Sequence, residues 1–435
     1  KPRKPRTLPE GLPRVERVIN PENIVCPCGC GDMVKIGEDR SERLDVIPAQ
    51  YQVVVTVRPK YACPKGRTGV VQAKAPAHLL ENSWPTEALL AQITVAKFCD
   101  FSPLNRQSVA MARNGAPIDR AVLSDWMGRT GALIAPVVDH MAMLLLKGST
   151  RLYVDETTAP VLDPGRGKTK TGYFWAVLRD DRGWNGPSPP GVVFHYRPGR
   201  KGEYAQEILK GFDGTIQVDA YGGYTALGTS KRVGGAPLKL AYCWSHGRRA
   251  LIKAQPKAGS PIVDEALLQI AAIYKIEAEI RGLPTAQRRA VRQEKSRPLV
   301  DKFFDWLNAQ AGRVSRKSEL GKALAYMLRR QEGFRLFLDD GHVDMDSNLV
   351  ENAIRSPAMT RRNTLFAGHD DGARCWARFA SLIGTCRING VEPYAYLLDL
   401  YTKLANGHLK KDIDALMPWA YAAATSSQMS SPGTP

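Results

Sequence analysis

Apolar and polar positions alternate with different periods along the chain. Residues 1–25 show no period; basic and punctuated by Pro2, Pro5, Pro9, Pro13 and Pro21, they predict an extended tail or linker. Residues 26–78 carry CPCGCGDM, then YQVVVTV at residues 51–57, then KYACPKG, which predicts a small β unit with cysteines at both ends. From about Glu81 to Lys147 apolar residues recur at i, i+3 and i+4, in TEALLAQITVAKFC and RAVLSDWMGRTGALIAPVVDHM, predicting a helical domain over 79–149. The period then shortens. RLYVDET, TGYFWAVLRD, GVVFHYR, TIQVDAY and LKLAYCW are β-branched and aromatic runs that predict strands, with one helical segment, GEYAQEILKGF, between the third and fourth. Three strands, a helix and then further strands predict an α/β fold with a mixed sheet whose later members need crossovers. Residues 246–345 are helical in pattern and basic, with Arg288, Arg289, Arg292, Lys295 and Arg297 clustered. SNLVENAIR, capped by Asp346 or Ser347, and ARCWARFASLIGTC predict two later helices, and the last twelve residues predict disorder.

Composition narrows the function. At ~100–200 residues per domain, 435 residues predict two to four domains, and 61 Lys+Arg against 43 Asp+Glu leave a net charge of +18. That excess favours a polyanion, either nucleic acid or an anionic membrane surface. The most apolar stretch, residues 131–146, is interrupted by Asp139 and His140 and falls short of the ~20 apolar residues of a membrane span. No signal peptide is visible in KPRKPR, and a chain starting at Lys leaves room for a preceding segment. Eight cysteines, three of them at 26, 28 and 30, fit a metal in a reducing compartment better than disulfides. Cytosolic nucleic-acid binding without a membrane role is the expectation.

Three carboxylates carry candidate chemistry. Asp155 ends the apolar run RLYV and Asp219 the run TIQV. An acid on a buried strand is costly unless it is paired or holds a cation. Each Asp alone could simply terminate its strand. Glu351 lies in DSNLVENAIR on a helical face shared with Ser347, Asn348 and Arg355, where a carboxylate is usually just solvated. Together the three could hold two Mg²⁺ or Mn²⁺ ions ~3.5–4 Å apart for in-line attack at phosphodiesters. Glu156 should point to the opposite face of its strand. Asp163, Asp180, Asp181, Asp370 and Asp371 sit in turn-like sequence.

The segments YVDETTAPVL, TKTGYFWAVLRDD, VDAYGGY, CWSHGRR and DSNLVENAIRSPAMTRRNTLFAGHDDGARCWA, in this order, resemble the transposases of the insertion-sequence-66 family. The resemblance runs from the Cys-rich segment to LMPWAY. It implies an RNase H-like DDE enzyme that cuts DNA at transposon ends and joins 3′ ends to a target, with Asp155, Asp219 and Glu351 as its triad. It also implies DNA as partner, a homo-oligomer on DNA, accessory proteins of the same element, and a bacterial, nucleoid-associated location. On this frame 150–255 is the first part of the catalytic core and 341–400 its second part. The 132 residues from Asp219 to Glu351 leave 256–340 as a helical insertion domain, and 401–435 is a C-terminal element with a tail. An RNase H-like nuclease without strand transfer, or a decayed DNA-binding protein, stay open as alternatives.

Cys26, Cys28, Cys30 and Cys63 give four thiols for a structural zinc, in a zinc-knuckle-like β unit. Cys-x-Cys-x-Cys does not easily put three sulfurs on one ion, and Gly66 stands where the family has a further Cys. Cys99, Cys375 and Cys386 sit in apolar helical sequence, as core residues do. Cys243 and His246 have metal-like spacing, but two ligands make no site; the family shares the pair, and a role in shaping the active site follows. His246, Arg248 and Arg249 suit DNA phosphate. PLNRQSVAMARNGAPIDRAVLSDWMGRTG matches a helix-turn-helix that would offer Arg106, Arg113, Arg120 and Arg129 to DNA. Such patterns also fit an ordinary helical hairpin. Arg355, Arg361 and Arg362 follow Glu351 as a basic cluster suited to the scissile strand.

Overall fold

The structure, a computed structural model, describes residues 8–46, 49–64, 69–408 and 410–429. Gly66 and the final six residues lie outside these. The chain divides into two compact units, Lys1–Val55 and Thr56–Pro435.

In the first unit no helix or ladder strand is present among the described residues; its ordered feature is a turn closed by the bridge Val25↔Asp32. The predicted strand at residues 51–57 is not formed. Val53, Val54, Val55 and Val57 are all exposed and extended. β-propensity alone does not make a strand when no partner edge satisfies its amides. The hairpin of this region is instead β1 (Lys60–Ala62) with β2 (Val70–Gln72), which begins the second unit.

The second unit is built on a five-stranded mixed sheet in the order β5-β4-β3-β6-β7. Its strands are β3 (Arg151–Asp163), β4 (Lys168–Arg179), β5 (Gly191–Arg197), β6 (Thr215–Val218) and β7 (Lys239–Tyr242), matching the five predicted runs. β3, β4 and β5 form an antiparallel meander, while β6 and β7 are parallel to β3. The helix Gly202–Ile208 makes the crossover from β5 to β6 that parallel pairing requires. β3 does not end at Asp155. It pairs with β4 from Tyr153↔Leu178 to Asp163↔Lys168, whereas its pairing with β6 stops at Tyr153↔Gln217.

Alternation along β3 sorts two cores. Tyr153, Ala159 and Val161 face a large cluster with Leu90, Trp126, Met141, Phe174, Trp376 and Phe379. That cluster draws on the helices Glu87–Phe98, Arg120–Leu133, Ala135–Lys147 and Asp370–Ile388. Leu152 and Val154 face the other side, with Trp175, Phe212 and Tyr224. A third cluster gathers Trp244, Leu251, Phe303, Phe304, Phe334, Phe337 and Met345. It joins the helix Trp244–Lys253 to the helices Pro261–Glu279, Arg297–Ala311, Glu319–Leu328 and Gln331–Asp339.

Other expectations change. Arg288 and Arg292, read as part of a basic cluster, are 3% and 0% exposed. Arg292 makes a two-pronged bond to Glu277 (2.8 and 2.6 Å) and Arg288 bonds Asp344 at 2.6 Å, so both charges are consumed internally. Asp370 and Asp371 open a helix, Asp370–Ile388, rather than a turn, and Asp370 accepts bonds from Lys170 and Tyr196. The tail is helical through Met429, its alanine-rich start favouring helix. No single helix among the described residues is long and apolar enough to cross a membrane. The apolar pair Arg120–Leu133 and Ala135–Lys147 bends by 46°, and its Leu123, Trp126, Val138 and Met141 lie in the main core.

Candidate active site and metal centres

Register places the two aspartates side by side. Tyr153 pairs with Gln217 in the parallel ladder, and Asp155 and Asp219 each stand two residues further on. Period-two alternation puts Asp155 on the face of Tyr153, and Asp219 is the first residue past the end of β6, which runs ~4.8 Å from β3. Both lie beyond the last paired rung, where β6 ends, and the charge of Asp219 acts on Asp155. Asp155 Oδ1 accepts the Glu156 N–H (2.8 Å) and Asp219 Oδ1 the Tyr221 N–H (2.9 Å), which fixes both heads.

Glu351 reaches the same region through the segment 342–347. The Gln217 side chain donates to Asp344 O (2.8 Å) and accepts from Asp344 N (2.9 Å), binding the segment to β6 as a further strand would. Trp244 N–H donates to Met345 O (3.0 Å) and Ser347 N–H to Cys243 Sγ (3.3 Å). Asp344 is gripped by Tyr153, Arg151 and Arg288. Burial alone would raise its carboxyl, but these charges and the Tyr153 hydrogen bond outweigh it and hold Asp344 below the usual range. The helix Asn348–Thr364 then starts with Glu351 in its first turn and Val350 buried in the main core.

Burial and mutual repulsion set the electrostatics of these acids. Burial first, then the negative charges of Glu156, Asp219 and Glu351, push the Asp155 carboxyl up to about 7, although the Glu156 N–H opposes the rise. Glu351 Oε2 accepts from Arg249 (3.0 Å), while its buried Oε1 has no hydrogen-bond partner. Carboxylates that raise one another in this way form an all-oxygen donor set of the kind that suits Mg²⁺ or Mn²⁺.

Sequence reasoning missed Glu156 and Arg200. Alternation does turn Glu156 to the opposite face, where its side chain is fully buried and bonds Tyr224. Burial raises its carboxyl against the pull of Tyr224 and Arg200. Arg200 bridges back, 2.5 Å from Glu156 Oε1 and 3.9 Å from Asp219 Oδ2, and stacks over the Tyr221 ring at 3.9 Å. The YGGY following Asp219 was the available signal, since it supplies both tyrosines. Beside Asp219 opens a cavity of about 400 Å³ lined by Arg200, Tyr221, His246, Arg249, Lys253 and Tyr326.

Other expected DNA contacts are dispersed. Arg106 and Arg113 are exposed on the helix Leu104–Arg113 and Arg120 and Arg129 on the helix Arg120–Leu133, with Gly115 (φ 82°) turning between and Asp119 capping the second. Arg129 Nη2 donates to Glu81 O (3.0 Å). Arg248, Arg355 and Arg362 are exposed. Arg361 is not free: it bonds Thr158 O (2.6 Å), Thr158 Oγ1 (2.5 Å) and Thr157 Oγ1 (3.2 Å), pinning its helix to β3.

In the first unit Cys26, Cys28 and Cys30 do converge, contrary to the spacing argument. Cys28 Sγ lies 2.9 Å from the sulfurs of both Cys26 and Cys30, and all three fall within 4.8 Å of one another. Gly29 (φ 77°) and Gly31 (φ 116°) adopt the left-handed backbone that folds so short a loop, and Cys26 N–H closes it on Gly31 O (2.9 Å). Hydrogen bonds from Cys26 and then Cys30 lower the Cys28 thiol to about 7. Three converging sulfurs, one of them acidified, fit zinc. Cys63 follows β1 in the second unit. Cys99 and Cys375 are half-buried and Cys386 fully buried against the main core, as predicted.

Comparison with known proteins agrees with this picture along the chain. A model of the Transposase IS66 family matches residues 82–375, the zinc-finger binding domain of transposase IS66 matches 23–65, and the IS66 C-terminal element matches 381–419. Among curated relatives, uncharacterized protein y4qI of Sinorhizobium fredii is 42% identical over 97% of this chain and 78% of its own length. Uncharacterized proteins y4jD and y4hP of the same organism are 38% and 36% identical, each over 96% of this chain and over 82% and 77% of their own lengths. The chain belongs to the IS66 transposase family.

Proposed function

We propose that this transposase cuts DNA at the ends of its element and joins the 3′ ends to target DNA, using Asp155, Asp219 and Glu351 as a DDE triad on an RNase H-like core. The observation that carries the reading is the register: two aspartates adjacent on central parallel strands, with a helical glutamate delivered to them by the Gln217–Asp344 clasp. The three carboxylates would hold two Mg²⁺ or Mn²⁺ ions, which when bound supply activation of a water or 3′-hydroxyl and neutralise the leaving oxygen. Arg200, Arg249 and Lys253 would receive the phosphates that flank the scissile bond. Tyr221 and Tyr326 line the same cavity, where an unpaired base could meet their rings. The exposed Arg106, Arg113, Arg120 and Arg129 on paired helices would read the element ends, and Arg248, Arg355 and Arg362 would extend the phosphate track. Cys26, Cys28 and Cys30 would hold a structural zinc. The protein would act on nucleoid DNA in the bacterial cytoplasm as a homo-oligomer, with accessory proteins of the same element.

Labelled end DNA incubated with Mg²⁺ tests this and separates joining from hydrolysis. Asp155→Asn, Asp219→Asn and Glu351→Gln should each abolish cleavage and joining while still shifting end DNA in a gel. Full strand transfer by any one of them would sink the triad.

A further inference from the structure

The helix that begins at Trp244 brings two residues against Glu351 that the triad does not use. Cys243, His246 and Glu351 each present a ligand atom within 4.8 Å of the other two. Cys243 is buried, which pushes its thiol up, and its sulfur accepts the Ser347 N–H at 3.3 Å, which partly offsets that rise. His246 Nδ1 and Glu351 Oε1 are both buried, both without a hydrogen-bond partner, and face one another at 3.5 Å. Arg249 holds only the other oxygen, Oε2. These two buried polar atoms, unpartnered by hydrogen bonds and beside a thiol, are donors that one cation could take up. His246 also lines the cavity beside Asp219, so a fourth ligand such as water has a way in.

We propose that Cys243, His246 and Glu351 form a second site, for a thiophilic divalent cation of the zinc class. Sulfur, imidazole and one carboxylate oxygen are the donors zinc prefers, whereas a thiol is a poor ligand for Mg²⁺. Binding releases the Cys243 thiol proton to solvent. The assignment of the site stands without the proposed function. Its consequence rests on that function: because Glu351 is shared, zinc here withdraws the third acid from the triad and inhibits cleavage in the presence of Mg²⁺.

Co²⁺ is the probe, read by the thiolate charge-transfer absorption it gives on binding sulfur. The full chain carrying Cys26→Ser, Cys28→Ser, Cys30→Ser and Cys63→Ser removes the knuckle thiols. This background should still bind about one Co²⁺ with a charge-transfer band, as one Cys–His–Glu site requires. Adding Cys243→Ser should abolish the band. His246→Gln and Glu351→Gln, which keep the thiol, should each weaken Co²⁺ binding at least ~10-fold. No band in the four-serine background, or affinity unchanged by both His246→Gln and Glu351→Gln, overturns the site. Zn²⁺ should suppress Mg²⁺-supported end cleavage by the four-serine protein. If the band behaves as expected and Zn²⁺ leaves cleavage intact, the shared use of Glu351 is refuted and the site alone survives.

Discussion

Replacing Asp155 with Asn should make the metal-free protein more stable at neutral pH. The carboxyl rises from the usual 3.8 to about 7 because burial and the nearby Glu156, Asp219 and Glu351 penalise its charge. A group whose folded value is raised holds its proton in the folded state while the unfolded chain has released it, so stability falls as pH climbs from about 4 to 7. At ~1.36 kcal/mol per pH unit the full penalty is at most about 4 kcal/mol. Solvent reaching this half-buried side chain brings the realistic figure to ~1–2 kcal/mol. Asn keeps the acceptor for the Glu156 N–H and removes the charge. In EDTA at pH 8, thermal unfolding of Asp155→Asn should therefore start ~1–4 °C above wild type, and the gap should close by about pH 4. Mn²⁺ should reverse the order. At a hundred times its dissociation constant it adds ~2.7 kcal/mol to wild type, and much less to a protein that has lost a ligand. A pH-independent difference, or a variant less stable than wild type at pH 8 in EDTA, would refute the electrostatic account of this carboxylate.

The buried Arg292–Glu277 pair gives a second expectation. Glu277→Gln should cost ~3–5 kcal/mol by stranding a buried guanidinium, and the double change Glu277→Leu with Arg292→Met should recover most of it. Chemical denaturation decides, and a loss below ~1 kcal/mol would mean that Arg292 is hydrated. Arg249→Ala and Lys253→Ala should each lower the slope of log affinity against log salt for end DNA by ~1, and unchanged slopes would remove them from the phosphate track. Arg200→Ala should destabilise the protein by ~1–3 kcal/mol because Glu156 loses its counter-ion, with Glu156→Gln in the same chain restoring part of the loss. Additive effects in that double-mutant cycle would show that the two do not interact.

The strands and the acids were legible in the sequence for different reasons. β-branched runs ending in Asp155 and Asp219 announce themselves because few buried strands carry a charge. Their adjacency was not legible, because it depends on the Tyr153↔Gln217 register of a parallel pair separated by a crossover. Glu351 was readable as a candidate acid but not as a neighbour of the aspartates, since its delivery relies on Gln217 and Asp344, residues with no signal of their own. Charge counting misled at Arg288 and Arg292, whose partners Asp344 and Glu277 lie 56 and 15 residues away in sequence. Residues 51–57 misled in the opposite way: their propensity is for strand, but pairing is a property of two segments.

The positive charge therefore has two uses that composition cannot separate. Arg151, Arg288 and Arg292 are buried and spend their charge on backbone and carboxylate partners. Arg200 and Arg249 are exposed enough to move, yet stand within 4 Å of Asp219 and Glu351. If these carboxylates take up a cation as proposed, an arginine that neutralises one of them would be released as the cation arrives. The same guanidinium, once free, has the fork geometry that phosphate requires. Metal loading and phosphate binding would then favour one another, and by linkage each must strengthen the other equally. The change in salt slope expected for Arg249→Ala should accordingly be close to one with Mn²⁺ present and much smaller in EDTA, where Glu351 still holds that arginine.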